Sequence, residues 1–449
     1  MDRDTPPFSF EDLPDLLKPA NIALLLRPEA AELTREYRPW RKVRAIARQH
    51  KLDPEAAWAA VKLGRWQNAR SLSLKQSNGK SFCIVTVPLL GAALHRIDRA
   101  TGGGGPAAIH GADGVLSDPA SRDRLRIRTL IDEAAESSLI EGAATTRKDA
   151  VEMLRSGRAP RSTGEQMVMN NYIAMQQIKR WLDRPLSVEM LLELQTILTD
   201  RTLDNAGEAG RLRRSDENVR VVDERDNTDL YTPPPADALP ERLTALCAFA
   251  NRAHEDEFFI HPIVKASILH FMIGYEHPFV DGNGRTARAV FYWYALRNGY
   301  SIFEHTGISE LIRKGYARYP QAYVDTELDD GDLTYFVLYK LDIIEQALDR
   351  LAEHLRHEEE KVRRSERLLK LSKDLNLRQR LLLEHSLRHP GTQYTVKSHM
   401  NSNGIVAVTA RTDLDDLVRR KLMTTTKRGR EVIYLVTSTL ADRLAKRGL

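Results

Sequence analysis

One string in the 449-residue chain gathers residue types that could do chemistry together: His277-Pro278-Phe279-Val280-Asp281-Gly282-Asn283-Gly284-Arg285-Thr286-Ala287-Arg288. Glycines at 282 and 284 let backbone amides turn inward. A helix starting there adds unpaired N–H donors and the positive end of its dipole, which together make an anion cradle. Arg285 and Arg288, three positions apart, supply forked donors suited to phosphate oxygens. Asp281 stands where a hard cation bridging two phosphates needs a carboxylate, and Mg2+ sites of that kind take only one or two from the protein. His277, at the loop's entrance, has an ordinary pKa of about 6.5 and can accept a proton at neutral pH. A Gly-Asn-Gly turn or a single histidine is usually structural. Nine such positions together arise by chance about 10⁻¹² times per start site, so base, cation ligand and anion cradle are expected to work as one.

Such a loop needs rigid walls. Val264 to Tyr275 upstream and Thr286 to Asn298 downstream carry apolar residues that predict a helix on each side. Asn218 to Val222 and Asp229 to Thr232, around the turn-prone Glu224 to Thr228, predict a hairpin, and Pro233-Pro234-Pro235 stiffens its exit. The chain divides by pattern into an N-terminal region of unclear role (1–106), a charged helical segment (121–148), a helical core (149–332), a helical connector (333–373) and a tail (374–449). The first region mixes helices around Trp40, Trp58 and Trp66 with a strand at Ser81 to Val87, and ends at the linker Gly102 to Gly105 and Pro106. The connector reads as one long charged helix or two. The expected fold class is mainly α, with a short β-hairpin and an N-terminal α/β region.

Composition bounds the partners. Hydrophobic residues make up 42%, charged residues 29% and aromatics 7%, which fits a soluble globular protein and excludes global disorder. The longest apolar run, Cys83 to Leu94, is interrupted by Pro88 and Gly91 and is too short to span a membrane. No secretory signal follows Met1, so a cytoplasmic address is expected. Cys83 and Cys247 stand far apart with no CxxC partner, against a disulfide framework or structural zinc. The net charge of +5 sits unevenly: from Asp374 onward there are 14 Lys/Arg against 7 Asp/Glu. That basic excess suits nucleic acid, an acidic partner or a solvated face.

The string HPFVDGNGRTAR resembles, without exception, the motif HPFx(D/E)GNGRxxR of the Fic family, whose members transfer AMP from ATP to a hydroxyl of a target protein. Asn170-Asn171-Tyr172-Ile173-Ala174, Ala209-Gly210-Arg211-Leu212-Arg213, His261-Pro262 and the 218–232 hairpin extend the resemblance from about Arg122 to Asp332. It implies a Fic-type helical core using ATP and Mg2+, with His277 as general base and Asp281 as the Mg2+ ligand. Gly282, Asn283, Gly284, Arg285, Thr286, Ala287 and Arg288 would bind nucleotide. The hairpin would be the family's flap, aligning a target segment by strand addition through Val219, Val221 and Tyr231. Family members resembling Doc toxins replace the second glycine by alanine and the first arginine by lysine and transfer phosphate. Gly282, Gly284 and Arg285 favour AMP transfer here. In the helix that lines the adenine pocket, many members carry an asparagine and paired tyrosines. The matching stretch Ile312 to Tyr323 has Tyr316, Tyr319 and Tyr323 but no asparagine, and Tyr319 is the candidate for the base pocket.

Ser137-Ser138-Leu139-Ile140-Glu141-Gly142 fits the family's inhibitory pattern (S/T)xxxE(G/N). Ser137 and Glu141 share a helix face, and Gly142 ends the helix. A carboxylate in a last turn is disfavoured by the dipole and gains from an external cation. By resemblance that cation is Arg288, and Glu141 is a brake built into the chain ahead of its core. The same glutamate would also suit orienting a water for AMP removal.

In the tail, Leu375 to His389, Thr395 to Met400 and Val406 to Lys421 predict three helices, followed by a hairpin over Thr424 to Val436. That is the pattern of a winged helix-turn-helix. Lys427, Arg428 and Arg430 would touch DNA phosphates, whereas Asp413, Asp415 and Asp416 crowd the third helix with negative charge; DNA docking and protein docking both stand. Asn78-Gly79-Lys80-Ser81 fails as a P-loop because Leu74 occupies the required glycine position. His254, His261, His270 and His277 lack zinc-site spacing. The leading reading is an adenylyltransferase acting on a protein target, itself included, with homo-oligomer formation open. The rivals are a DNA-binding regulator with a nucleotide-responsive core, and AMP removal or phosphate transfer by the same site.

Overall fold

The computed structural model describes residues 5–25, 27, 33–34, 36–101, 119–217, 219–223, 228–252, 258–371, 375–388, 391–428, 431–437, 439–440 and 443. The expected linker at Gly102 to Pro106, His254, the hairpin turn at Glu224 to Asn227 and Arg430 lie outside them. The chain forms two compact units, Met1–Leu351 and Ala352–Leu449, and is mainly helical.

At the centre of the first unit lie the helices Pro262–Glu276 and Asn283–Arg297, buried on nearly every face. Helices that are buried all round must be walled in by others. The wall consists of Pro119–Ile140, Thr163–Arg180, Val188–Thr199 and Leu239–Asn251, with the first part of Thr334–Leu371 closing one side through Phe336 against Phe271. Trp293 fixes its helix to the wall by donating to the Trp181 carbonyl at 3.0 Å.

Thr334–Leu371 is a single helix, and the division between the two units falls inside it, at Leu351. Ser121 to Lys148 splits into two helices. Pro119–Ile140 stops at Gly142, whose φ of 75° a side chain would disfavour. The next helix, Arg147–Ser156, restarts from the Thr146 cap, whose hydroxyl accepts from Asp149 N at 3.1 Å.

The N-terminal region belongs to the same compact unit as the core. Helices Trp40–Gln49 and Pro54–Trp66 bury Trp40 and Trp58 against each other. Strands β1 (Ala69–Lys75) and β2 (Ser81–Val85) pair antiparallel, and Cys83 of β2 bridges Asp332. Lys62 pairs with Asp329 at 2.8 Å with both groups buried, and Arg65 donates to the Tyr335 hydroxyl at 2.6 Å.

Strands β3 (Val221–Asp223) and β4 (Thr228–Tyr231) make the expected hairpin, with Val221 opposite Tyr231 and Val219 just ahead of β3.

In the second unit, helices Leu377–Arg388, Val396–Asn403 and Ala407–Arg419 pack on a three-stranded antiparallel sheet. Its strands are β5 (Gln393–Tyr394), β6 (Met423–Arg428) and β7 (Glu431–Val436), in the order β5-β7-β6. Strand β5 was not expected; two residues give no periodicity to read. The acidic residues of the third helix hold this unit together. Asp413 accepts from Asn376 and Arg378, both at 2.7 Å, Asp415 from the Tyr434 hydroxyl at 2.8 Å, and Asp416 from Arg420 at 2.6 Å.

Candidate active site

His277 ends the Pro262 helix in the left-handed conformation, with φ of 44°. A non-glycine residue there costs about 1–2 kcal/mol, and the cap bond from its own N–H to the Ile273 carbonyl at 3.0 Å holds it. Its ring Nδ1 lies 3.3 Å from the Gly274 carbonyl. A carbonyl only accepts, so Nδ1 carries the proton and Nε2 keeps its lone pair. Burial pushes the imidazole pKa down to about 4, Arg213 adds to this, and Gly274, Glu141 and Asp281 oppose it. The ring is therefore neutral at pH 7, with Nε2 able to take a proton.

Gly282 begins the next helix at φ of 88°. Asn283 locks the loop by accepting from Phe279 N and donating to Phe279 O, both at 2.9 Å. This clamp engages both ends of the amide, so Asn283 acts on the loop's shape. Thr286 N bonds the Gly282 carbonyl at 2.9 Å, and the side chains of Thr286 and Ala287 are buried. The amides that helix geometry leaves for an anion are those of Asn283, Gly284 and Arg285.

The two arginines have different partners. Arg285, fully buried, donates to Asp281 at 2.8 Å and to the Leu198 carbonyl at 2.9 Å. Arg288 donates from Nε to the Ser137 hydroxyl at 2.7 Å, from Nη2 to the Ser137 carbonyl at 2.8 Å and from Nη1 to Glu141 at 3.0 Å. Glu141 also lies over the start of the Asn283 helix: a Cβ on Gly284 would stand 2.3 Å from its Oε1. A carboxylate of the chain itself thus sits where the helix start would attract a phosphate. Glu133, buried on the same Pro119 helix, accepts from Ser309 N at 3.0 Å and from its hydroxyl, which holds Ser137 and Glu141 at this height.

Asp281 also accepts from Gly282 N at 2.6 Å and is half-exposed. Among the described residues no group of three His, Cys, Asp or Glu gathers for a metal. A single carboxylate fits Mg2+ that takes most of its oxygens from phosphates and water, and does not fit a metal held by protein alone. Of the histidines, His261 bonds Asp98 at 3.0 Å and His270 bonds the Tyr319 hydroxyl at 2.8 Å.

Tyr319 lies partly buried among aromatic residues on the Arg318–Leu328 helix, close enough to Arg288 to feel its charge. Tyr231, at the end of β4, packs on Tyr275 with centroids 5.0 Å apart. Two supports carried only a weak signal. Arg213 grips the loop by donating to the His277 carbonyl at 2.8 Å, and its N–H bonds the Pro278 carbonyl at 2.9 Å. Gln195 accepts from Gly210 N at 2.6 Å and donates to the Asp281 carbonyl at 3.4 Å. The AGRLR string of 209–213 flagged Arg213; nothing flagged Gln195.

This fold is shared with a Fic family protein from Desulfovibrio desulfuricans G20. The match covers 79% of this chain and 97% of that one, with TM-score 0.52 and 20% identity. Residues 185–295 match the Fic/DOC family model, and the chain carries a Fic/DOC domain. Similar curated relatives include "Protein adenylyltransferase Fic" of Culex quinquefasciatus, 32% identical over 21% of this chain and 17% of its own length. "Protein adenylyltransferase fic-1" of Caenorhabditis elegans is 32% identical over 26% and 20%. "Protein adenylyltransferase Fic" of Nematostella vectensis is 30% identical over 32% and 29%. The chain thus spans less than a third of these relatives' length. Among the described residues no helix is long and apolar enough to cross a membrane.

Proposed function

We propose that the protein is an adenylyltransferase that moves AMP from ATP to a Ser, Thr or Tyr hydroxyl of a protein, and that Glu141 holds it back in cis. The observation that carries this is the pairing of a neutral His277, its Nε2 unprotonated, with an anion cradle whose Arg288 is held by Glu141. The names of the curated relatives point the same way.

The target hydroxyl gives its proton to His277 Nε2 as its oxygen attacks the α-phosphorus. The bond from that phosphorus to the bridging oxygen breaks, pyrophosphate leaves, and the target carries AMP. The amides of Asn283, Gly284 and Arg285 and the freed Arg288 guanidinium bind phosphate oxygens. Asp281 would hold Mg2+, which when bound supplies charge neutralisation between phosphates. The β3–β4 edge offers backbone donors and acceptors to an extended target segment. With Glu141 on Arg288, the terminal phosphate cannot take that guanidinium, and the triphosphate settles with its α-phosphorus out of line.

The test uses ATP labelled at the α or the γ phosphate, with wild type, Glu141→Gly and His277→Ala. Protein-bound α label, stronger in Glu141→Gly and absent in His277→Ala, is expected. Label from the γ position alone makes it a phosphotransferase, and no gain in Glu141→Gly removes the brake.

For the second unit we infer docking on duplex DNA. The three aspartates of its third helix are taken up by Asn376, Arg378, Tyr434 and Arg420. What that helix exposes at its start is Val406 (68% exposed), Val408 (76%) and Arg411, with Lys427 and Arg428 exposed on β6. Apolar and arginine contacts to base edges, with lysine and arginine on phosphates, are the chemistry of a groove reader. Duplex binding by the full chain that weakens steeply with salt, and weakens further in Arg411→Ala, is expected. Binding indifferent to salt turns the reading to protein docking.

A further inference from the structure

The last two turns of the Pro119–Ile140 helix carry charge on two sides. Ser137 and Glu141 face the cradle and hold Arg288. Glu136, one residue before Ser137, stands about 100° further round the helix and is buried against different partners. Arg313, on the short Ser309–Lys314 helix, donates from Nε to Glu136 Oε2. Arg147 Nε lies 3.0 Å from Oε1, close enough for an ion pair but at an angle that leaves Oε1 without a hydrogen bond. Arg147 opens the Arg147–Ser156 helix, so its pair with Glu136 closes the turn that contains Glu141 and Gly142. The Glu136 side chain is 2% exposed, whereas those of Arg147 and Arg313 are 49% and 39% exposed. A carboxylate thus lies inside while both its counter-charges stand partly in water. Neutral hydrogen bonds hold the same stretch, from the Ser138 hydroxyl to the Met167 carbonyl and from the Asn171 amide to the Ala134 carbonyl, both at 3.2 Å. Water can replace those. A buried carboxylate that loses its cations is destabilised where it sits and gains by reaching solvent.

We propose that Arg147 and Arg313 are positioning residues for the brake: by matching the buried charge of Glu136 they keep the last helical turn docked and Glu141 on Arg288. This rests on the reading of Glu141 as a brake given above and names what controls it. Without the two guanidiniums, Glu136 is drawn towards water. The helix ends only a few residues later, before Gly142 with its φ of 75°, so its last turn can unwind without breaking the middle of a helix. Ser137 and Glu141 belong to that turn and leave with it, and Arg288 is freed for a phosphate. The arrangement has a sign that a general loss of stability does not share. Removing the cations opens the brake, whereas removing the charge of Glu136 leaves nothing to be drawn out, and the turn stays docked. Arg147 also pairs with Asp132 at 2.8 Å, but the Asp132 side chain is partly exposed, so water can serve it when the arginine goes.

The experiment uses the full chain as wild type, as Arg147→Gln with Arg313→Gln, as Glu136→Gln, and with all three changes together. Transfer of label from α-labelled ATP is measured for each, and hydrogen exchange of the amides of residues 137–142 is followed by mass spectrometry without nucleotide. The double arginine variant should raise transfer by about fivefold or more, the lower end of a coupling between two sites, and should speed exchange of that segment. Glu136→Gln keeps the shape and an acceptor for Arg313 but has no charge, and should match wild type in both. The triple variant should return to the wild-type level. In the Glu141→Gly background the arginine changes should add nothing to transfer, because no brake remains to be opened. Exchange unchanged in the double arginine variant overturns the proposal. So does a gain that persists in the triple variant, which would place the effect elsewhere than at Glu136, or a gain on top of Glu141→Gly. Transfer raised by Glu141→Gly, with neither transfer nor exchange moved by the arginine changes, sinks this inference alone. Exchange that speeds in the double arginine variant and is restored in the triple, with no transfer by any protein including Glu141→Gly, sinks the adenylyltransferase reading alone.

Discussion

The two ends of the candidate nucleotide site differ in how their polar groups are satisfied. Around the phosphate cradle, Arg288 is shared by Ser137 and Glu141, Arg285 by Asp281 and Leu198, and the Asn283 amide by Phe279. At the hairpin end, the hydroxyls of Tyr231 and Tyr323 are buried without a hydrogen bond. The first end is closed by bonds among its own residues; at the second, these two hydroxyls have no partner among the described residues. A ligand pays for rearrangement only where its contacts compete with existing ones. On the adenylyltransferase reading proposed above, the phosphates would compete with Glu141 for Arg288. On that reading, an inhibitor of this form would need only to hold one arginine, and a regulator only to move one carboxylate.

The sharpest way to break this comparison is to remove the base, which belongs to neither end. His277→Ala should lower AMP transfer by about 10²–10⁴-fold in the Glu141→Gly background while nucleotide affinity holds, by radiolabel transfer and calorimetry. Equal losses in both would make His277 a binding group. Next, Glu141→Gly should raise transfer by about 5- to 150-fold, the usual span of a coupling between two sites. A matching gain in affinity for ATP but none for adenosine would place the whole effect at the phosphate end. Asn283→Ala leaves a buried N–H and a buried carbonyl of Phe279 unpaired, and should cost about 2 kcal/mol or more in the unfolding transition of the first unit, read by denaturant titration. Smallest is the pH effect. With the His277 pKa pushed down to about 4 and the neutral ring as the active form, transfer by Glu141→Gly should hold from pH 7 to 5 and fall only as pH descends towards 4. A fall centred near 6.5 would mean that the ring is solvated and carries its ordinary affinity for protons.

How much of this was legible in sequence follows from how far apart the partners lie. The loop from His277 to Arg288 is contiguous, so its residue types and spacing declare its chemistry before any fold is known. Ser137 and Glu141 were legible as a pattern, although Arg288, their shared partner, lies far along the chain. Asn283 sits within the loop, yet its clamp on Phe279 depends on how the backbone turns, which spacing does not specify. Gln195 belongs to no pattern at all; its bonds to Gly210 and Asp281 are a property of the folded neighbourhood. The aspartates of the third tail helix illustrate the converse. Their charge reads as repulsive to DNA, but Asp413 is buried, Asp416 partly so, and they are matched by Arg378 and Arg420. Composition counts charges and cannot say which are already spoken for.

The buried pair of Lys62 with Asp329 bears on how this protein can be dissected. Residues 185–295, the segment that matches the family model, contain the whole loop, and a fragment cut near them looks self-sufficient on paper. Yet the turn that follows the Tyr319 helix is fastened to the first hundred residues. Asp329 bonds Lys62, and Tyr37 donates to Asp332. The β2 strand runs beside the same turn, with Val85 N donating to the Thr334 hydroxyl at 2.8 Å. Cutting away the N-terminal region removes the partners of both carboxylates and uncovers the face of the core that packs against them. The N-terminal hundred residues are in this sense part of the wall around the candidate site, and the shortest fragment worth expressing begins ahead of Tyr37.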